Sequence, residues 1–380
     1  MKKVVLIPDS FKGTMSSTEI CNVMKERIDQ HFPACEVVTI PVADGGEGSV
    51  DAFLTALGGE KVWLEVKNPY FEPMQSFYGL IDGGNTAVIE MAACAGLPLV
   101  EDRKNPCKTT TYGVGQLILD AASRGVKKII VGLGGSSTND GGCGAAAAVG
   151  VRFLNREGET FVPTGGTLKD IVSIDFSGRA KELEGIEFVT MCDIDNPMYG
   201  KTGASYIFGP QKGADPEMVE FLDQGMINLC EVIKAGKGQD LSEVPGGGAA
   251  GAMGAGMIAF FDSRLQMGIQ TVLDTVGFDN IISDADMIFT GEGKLDSQSL
   301  RGKVVIGVAT RAQKQSVPVT VIVGGAADDD IAAAYDMGVT SVFTINRLPQ
   351  DFSVSRYNSE ANLAYTVDNI FRLMKSACAN

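Results

Sequence analysis

Residues 3–8 are apolar almost throughout, the pattern of a strand buried on both faces of a parallel sheet. After a polar loop at 9–14, Ser16 and Glu19 stand at capping-box spacing. Ile20, Val23, Met24, Ile28 and Phe32 then recur on one helical face. Residues 36–42 read as a second strand, and a helix follows with Val50, Phe53, Leu54 and Leu57 inward. Strand, helix, strand, helix predicts a doubly wound α/β sheet.

The pattern then changes. Residues 62–66, 75–81 and 87–91 read as short strands joined by Asn-Pro, Glu-Pro and Gly-Gly turns, as in a mixed or antiparallel sheet. A helix at 111–123, strands at 127–131, 151–154 and 187–191, and a Gly/Ala-dense stretch at 245–257 follow. We read that stretch as a helix packed closely on small residues. The α/β alternation returns with strands at 286–289, 319–323 and 341–345 and helices at 303–314 and 359–376. The expected architecture is therefore α/β: a doubly wound parallel-sheet domain from 1–60 and 264–380, interrupted by a mixed α/β domain at 61–263. In open α/β sheets ligands bind beyond the carboxyl ends of strands, so the active site is expected in the cleft between the two domains, with Asp9, Asp44 and Glu292 on its rim.

The polar residues concentrate in glycine-rich stretches at strand ends. The run Gly132-Leu133-Gly134-Gly135-Ser136-Ser137-Thr138-Asn139-Asp140-Gly141-Gly142 follows a strand and precedes a run of small residues. Strand, glycine turn and helix start make backbone N–H groups converge on an anion. Gly134, Gly135, Ser136, Ser137, Thr138 and Asp140 are the phosphate-binding candidates. No Walker A motif is present and no G-x-G-x-x-G follows a strand, so phosphate must be held in another way. Phosphoryl transfer also needs a cation near the transferring group, carboxylates for a metal, and a residue that places the acceptor hydroxyl. Lys12 lies in a strand-following loop beside Asp9 and Ser10, and Asp44 and Glu47 lie in a loop with glycines. Asp193, Asp195 and Asn196 cluster after a strand, and Glu292, Lys294, Asp296 and Ser297 share the richest terminal loop. Arg264, Arg301 and Lys294 are candidates to grip the oxyanion of a small acid.

Composition narrows the classes. A chain of 380 residues with 44% hydrophobic residues is large enough for two cores. A net charge of -15 argues against nucleic acid and against an anionic membrane surface. The apolar run at 249–261 is too short to span a bilayer. The 8 cysteines include no C-x-x-C pair, and the apolar start is too short for a signal peptide, so a reducing, cytoplasmic location is expected. The single histidine, His31, is read as an exposed helix-end residue, which removes His-based zinc sites and a Ser-His-Asp triad from consideration. A metal would be a hard, oxygen-bound ion such as Mg²⁺.

Pro8-Asp9-Ser10-Phe11-Lys12-Gly13, Ala43-Asp44-Gly45-Gly46-Glu47-Gly48, the 132–142 run, Cys192-Asp193-Ile194-Asp195-Asn196-Pro197 and Thr290-Gly291-Glu292-Gly293-Lys294-Leu295-Asp296 together resemble the bacterial glycerate kinase type I family, in order along essentially the whole chain. The first part of the 132–142 run is also similar to the phosphate loop of kinases acting on galactose, homoserine and mevalonate, but the other motifs do not fit that group. The glycerate kinase resemblance implies ATP- and Mg²⁺-dependent phosphorylation of D-glycerate, with 2-phosphoglycerate favoured over 3-phosphoglycerate. It implies a flavodoxin-like domain interrupted by a second domain, and a role in glyoxylate or sugar-acid breakdown. On this reading the loop at 136–140 cradles the ATP phosphates, and Lys12 or Lys294 neutralises the γ-phosphoryl group. Asp193 or Asp195 holds Mg²⁺ or accepts the hydroxyl proton. Asp9, Ser10, Asp44, Glu47, Glu292 and Asp296 are expected around the substrates. The chain is expected to work as a monomer or homodimer.

Overall fold

The computed structural model describes residues 1–42, 45–348 and 350–378. The chain divides into two compact units, one of Met1–Ala43 with Ile269–Asn380, the other of Asp44–Gly268.

The discontinuous unit is built on a five-stranded sheet of Lys3–Leu6, Glu36–Thr39, Met287–Glu292, Val319–Val323 and Ser341–Thr344, all parallel. Counted along the chain the spatial order is 5-4-3-1-2. Read from the other edge, this is the flavodoxin-like order 2-1-3-4-5. The first strand lies in the interior, with Val4 opposite both Val37 and Met287, which is why its sequence is nearly all apolar. Helices Ser17–His31 and Ser359–Cys378 cover one face. There Ile20, Met24, Ile28, Leu363, Val367 and Phe371 pack on Val4, Leu6 and Phe289. The helix Val304–Gln313 buries Val305, Val308 and Ala309 against the third and fourth strands. The predicted capping box is present: Ser16 accepts from Glu19 N, and the Glu19 carboxylate accepts from Ser16 N at 2.7 Å. Caps of this kind contribute about 1 kcal/mol. His31 is not an open helix end. Its Nε2 lies 2.7 Å from Asp368 Oδ1, its side chain is only 13% exposed, and its ring faces Phe371.

The inserted unit carries a six-stranded mixed sheet. Thr86–Glu90, Lys128–Gly132, Glu187–Met191 and Arg264–Gln266 run parallel, and Glu60–Lys67 and Pro73–Ile81 extend the sheet antiparallel. A small antiparallel sheet of Arg152–Leu154, Thr160–Phe161 and Ser173–Asp175 is separate. The helix Ser49–Leu57 belongs here, because it packs on Pro73–Ile81 and Thr86–Glu90. The division thus falls earlier than residue 60 at the first crossing and later than 264 at the second. Pro216–Lys237, a helix of 22 residues capped by Asp215, is absent from the sequence expectations. Asp223 and Gly225 are buried within its apolar stripe and blur the period. The stretch at 245–257 is the close helix packing expected: Gly256 of helix Ala249–Phe261 lies against Gly141, where a Cβ would meet the carbonyl oxygen at 2.2 Å.

Candidate active site

The inserted unit gathers its polar loops at the carboxyl ends of neighbouring parallel strands. Gly134 N donates to Gly45 O at 3.1 Å, and Leu133 N to Met191 O at 3.4 Å. A Cβ on Gly134 would sit 2.5 Å from Gly46 Cα, so the two glycine loops touch backbone to backbone only because both lack side chains there. Glu47 is exposed beside this contact. Asp44 lies outside the described residues.

The loop after Gly132 faces inward. Ser136, Ser137, Thr138, Asn139 and Asp140 are all buried. The Asp140 carboxylate accepts from Thr111 N at 2.7 Å, Thr111 Oγ1 at 2.9 Å, and Gly142 N and Gly144 N at 3.2 Å each. Burial raises its pKa, and these hydrogen bonds work against the rise. The N–H groups at the start of helix Cys143–Ala148, which the sequence offers to an anion, are therefore bonded to the chain's own carboxylate. The same device recurs at helix Ser49–Leu57, where buried Glu90 accepts from Val50 N at 2.5 Å and Gly48 N at 3.2 Å. Glu90 is absent from the sequence candidates, although an acid ending the apolar strand Thr86–Glu90 is a visible anomaly.

The other loop side chains divide between scaffold and open chemistry. Ser137 donates from both N and Oγ to Ala95 O, each at 2.9 Å. Asn139 Nδ2 donates to Ser205 Oγ at 3.1 Å. Thr138 Oγ1 and Asn139 Oδ1 are buried and without a hydrogen-bond partner. Lys212, which sequence reasoning missed, reaches in from Pro210–Lys212 and donates from Nζ to Ser136 Oγ at 2.8 Å and Thr138 O at 2.6 Å. Its signal was a lysine in the turn-forming stretch Gly209-Pro210-Gln211-Lys212-Gly213. Against the same loop, Ala250, Gly251 and Ala252 have φ of 56°, 67° and 64°. A Cβ on Gly251 would meet Thr138 O at 2.0 Å.

Asp193 and Asp195 are not equivalent. Asp193 is half-buried, and its Oδ1 accepts from Gly268 N at 2.7 Å, whereas Asp195 is exposed. No group of three or more His, Cys, Asp or Glu side chains able to hold a metal occurs among the described residues. Arg264 pairs with Glu187 at 2.8 Å, so its head is drawn toward the amino-terminal edge of the sheet and away from these loops.

In the discontinuous unit the candidates meet where the strand order reverses, between the first and third strands. Asp9 N donates to Gly291 O at 2.8 Å, and Ser10 N to Asp9 Oδ1 at 2.7 Å. A Cβ on Gly293 would lie 3.4 Å from Lys12 N, so the Lys12 loop rests on the turn after Glu292. Lys12, Lys294 and Arg301 are exposed. Asp296 is half-buried and its Oδ1 accepts from Gln298 N at 2.9 Å. Glu292 is 9% exposed, and its buried Oε1 has no hydrogen-bond partner. Burial, reinforced by Asp9 and Asp296, pushes its pKa up to about 7 against the pull of Ser299 and Lys303.

A flavodoxin-like sheet with carboxylates and lysine at its switch point, interrupted by a mixed α/β unit with a buried Ser/Thr-rich glycine loop, defines an α/β protein whose strand-end loops are of the kind that bind anionic ligands. Known proteins carry the assignment further. A model of the glycerate kinase family matches residues 4–375. The glycerate kinase of Bacillus cereus is 44% identical over 376 residues, 99% of this chain and 98% of that protein. The glycerate 2-kinase of Escherichia coli is 40% identical over 344 residues, 90% of this chain and 90% of that protein. A crystal structure of a glycerate kinase 2 candidate from Salmonella typhimurium LT2 superposes with a TM-score of 0.89 at 38% identity, covering 100% of both chains. The chain belongs to the glycerate kinase family.

Proposed function

We propose that this chain is a type I glycerate kinase that transfers the ATP γ-phosphoryl group to D-glycerate, at the 2-hydroxyl, in glyoxylate or sugar-acid breakdown. One observation carries the reading: every described polar strand-end motif lies within the span matched by the family, 4–375, on the carboxyl rim of one sheet or the other. Catalysis of phosphoryl transfer is mostly positioning and charge stabilisation, and both rims supply such groups.

The loop at 136–140, with the glycines Gly134 and Gly135 before it, receives the phosphates. Ser136 and Thr138 are its contact side chains, while Ser137 and Asp140 hold its shape through the bonds to Ala95, Thr111, Gly142 and Gly144. Lys12 and Lys294 neutralise charge on the transferring group. Asp9, Ser10, Glu47 and Asp296, together with Asp44, bind the substrates. Glu292 accepts the glycerate hydroxyl proton, because a pKa of about 7 suits a base that must take a proton near neutrality and release it afterwards.

Mg²⁺ is usually held by one or two carboxylates plus substrate phosphates. Asp193 fits that requirement: it is a hard oxygen ligand, half-buried, and oriented by Gly268 N. Asp195, exposed on the same loop, is the second candidate. When bound, the ion neutralises charge on the phosphate oxygens. Working as a monomer or homodimer in the cytoplasm belongs to the same reading, and no helix among the described residues is long and apolar enough to cross a membrane.

The test is a coupled assay with D-glycerate, ATP and Mg²⁺, the product typed with enolase alone or with phosphoglycerate mutase added. Signal with enolase alone supports the 2-hydroxyl, and signal only after mutase moves the assignment to the 3-hydroxyl. Absence of ADP formation with D-glycerate, or release of free phosphate only, overturns the reading.

A further inference from the structure

Lys212 is 1% exposed, an unusual place for a side chain that is almost never buried without a charged partner. Its ammonium is met by a hydroxyl and a carbonyl, Ser136 Oγ and Thr138 O, not by a bonded carboxylate. Burial pushes its pKa down to about 7, and Asp140, the charged group that faces it, acts in the opposite direction. A buried cation without an ion pair is costly to the fold, by several kcal/mol in ordinary cases. The cost is understandable if an anion completes the coordination during function. Its surroundings have the same unfinished character. Thr138 Oγ1 and Asn139 Oδ1, in the stretch that Lys212 holds, are buried polar atoms without partners. The backbone there is also packed closely by the left-handed turn at Ala250, Gly251 and Ala252.

We propose that Lys212 is a positioning residue for phosphoryl transfer, fixing the Ser136–Thr138 backbone from within and placing a positive charge behind the bound phosphates. The proposal rests on the reading of the 136–140 loop as the phosphate cradle. It adds a second-layer cation that the exposed lysines cannot replace. Lys12 and Lys294 are open to water, where a charge is screened, while Lys212 acts through a dry medium in which the same charge reaches further. The sign of the pH effect follows. Below about 7 the ammonium is charged and favours phosphate, and above it the neutral amine keeps its hydrogen bonds but not its field. ATP affinity should therefore weaken as pH rises through this window.

The experiment measures binding of ATP with Mg²⁺, without glycerate, at pH 6.5 and 8.5, for the full chain and the variants Lys212→Gln, Lys212→Arg and Ser136→Ala. Thermal unfolding of each variant is recorded alongside. Lys212→Gln should weaken ATP binding at pH 6.5 by about 100-fold, the scale of losing one preorganised donor, and should abolish the pH dependence. Lys212→Arg keeps its charge at both pH values and should show a flat profile. Ser136→Ala keeps the lysine and should retain the wild-type slope. A folded Lys212→Gln that binds ATP as tightly as wild type, or a Lys212→Arg that keeps the wild-type slope, overturns the proposal. If Lys212→Gln does not fold, the Arg and Ser136 variants decide by the same criteria. Wild-type binding of ATP without turnover of D-glycerate would sink the substrate reading and leave Lys212 in place. Normal turnover with variants indifferent in binding and pH profile would sink only the role of Lys212.

Discussion

Glu292 shows how one side chain can link stability to chemistry. Its pKa lies near 7 in the folded chain against an ordinary value of 4.5, so the folded state holds a proton that the unfolded chain has already lost across that interval. Stability therefore falls as pH rises from about 4.5 to 7, by an amount on the order of 3 kcal/mol. Glu292→Gln removes the ionisation and should melt higher than wild type at pH 8, with little difference at pH 4. Thermal unfolding at both pH values checks this. In its proposed role as proton acceptor the same residue must be ionised, so on that reading wild-type turnover should rise through pH 7. Glu292→Gln should lose roughly 10²–10⁴ in kcat together with that rising limb. A variant that keeps the rise would assign the base elsewhere.

At the scale of elements, glycine spacing decides which loops can meet. The Gly45–Gly46 backbone lies on Gly132 and Gly134 with no room between them, since a Cβ on Gly132 would reach Gly45 O at 2.2 Å. Gly134→Ala should separate the loops, lower stability by about 1–3 kcal/mol as an overpacking change, and weaken ATP binding as well. Urea unfolding and nucleotide titration would measure the two effects. Loss of stability without loss of binding would limit this contact to a structural role. Helix starts tell a complementary story. Asp140 and Glu90 occupy N–H groups that would otherwise attract an external anion, while Thr138 Oγ1 and Asn139 Oδ1 stay buried without partners beside the bond from Lys212 to Ser136.

For the whole molecule, the path of the chain sets what can fold alone. Asp44–Gly268 is continuous and carries its own core from Val62 to Phe261. Expressed as a fragment it should give a cooperative thermal transition. The fragment Ile269–Asn380 lacks Lys3–Leu6, the interior strand that pairs with Met287–Glu292, and should remain unfolded unless residues 1–43 are supplied. Circular dichroism and amide exchange on the two fragments would test both expectations. The net charge of -15 makes locally placed cations the means of attracting anionic substrates, and such attraction should weaken with salt.

Much of this was legible along the chain because it is local. Apolar runs such as Val319–Val323, the Ser16–Glu19 cap and the glycine motifs depend on neighbours a few residues away, and they identified strands, the doubly wound order of elements and the polar loops at strand ends. Pairing across long separations was not legible. That Gly134 rests on Gly46, that helix Ser49–Leu57 joins the inserted unit, and that Asp140 and Glu90 close helix starts all follow from packing between segments far apart in sequence. Lys212 and Glu292 make the same point in charge. Their residue types were visible from the outset, but the shift of both toward neutrality comes from burial, and burial is decided only when the chain has folded.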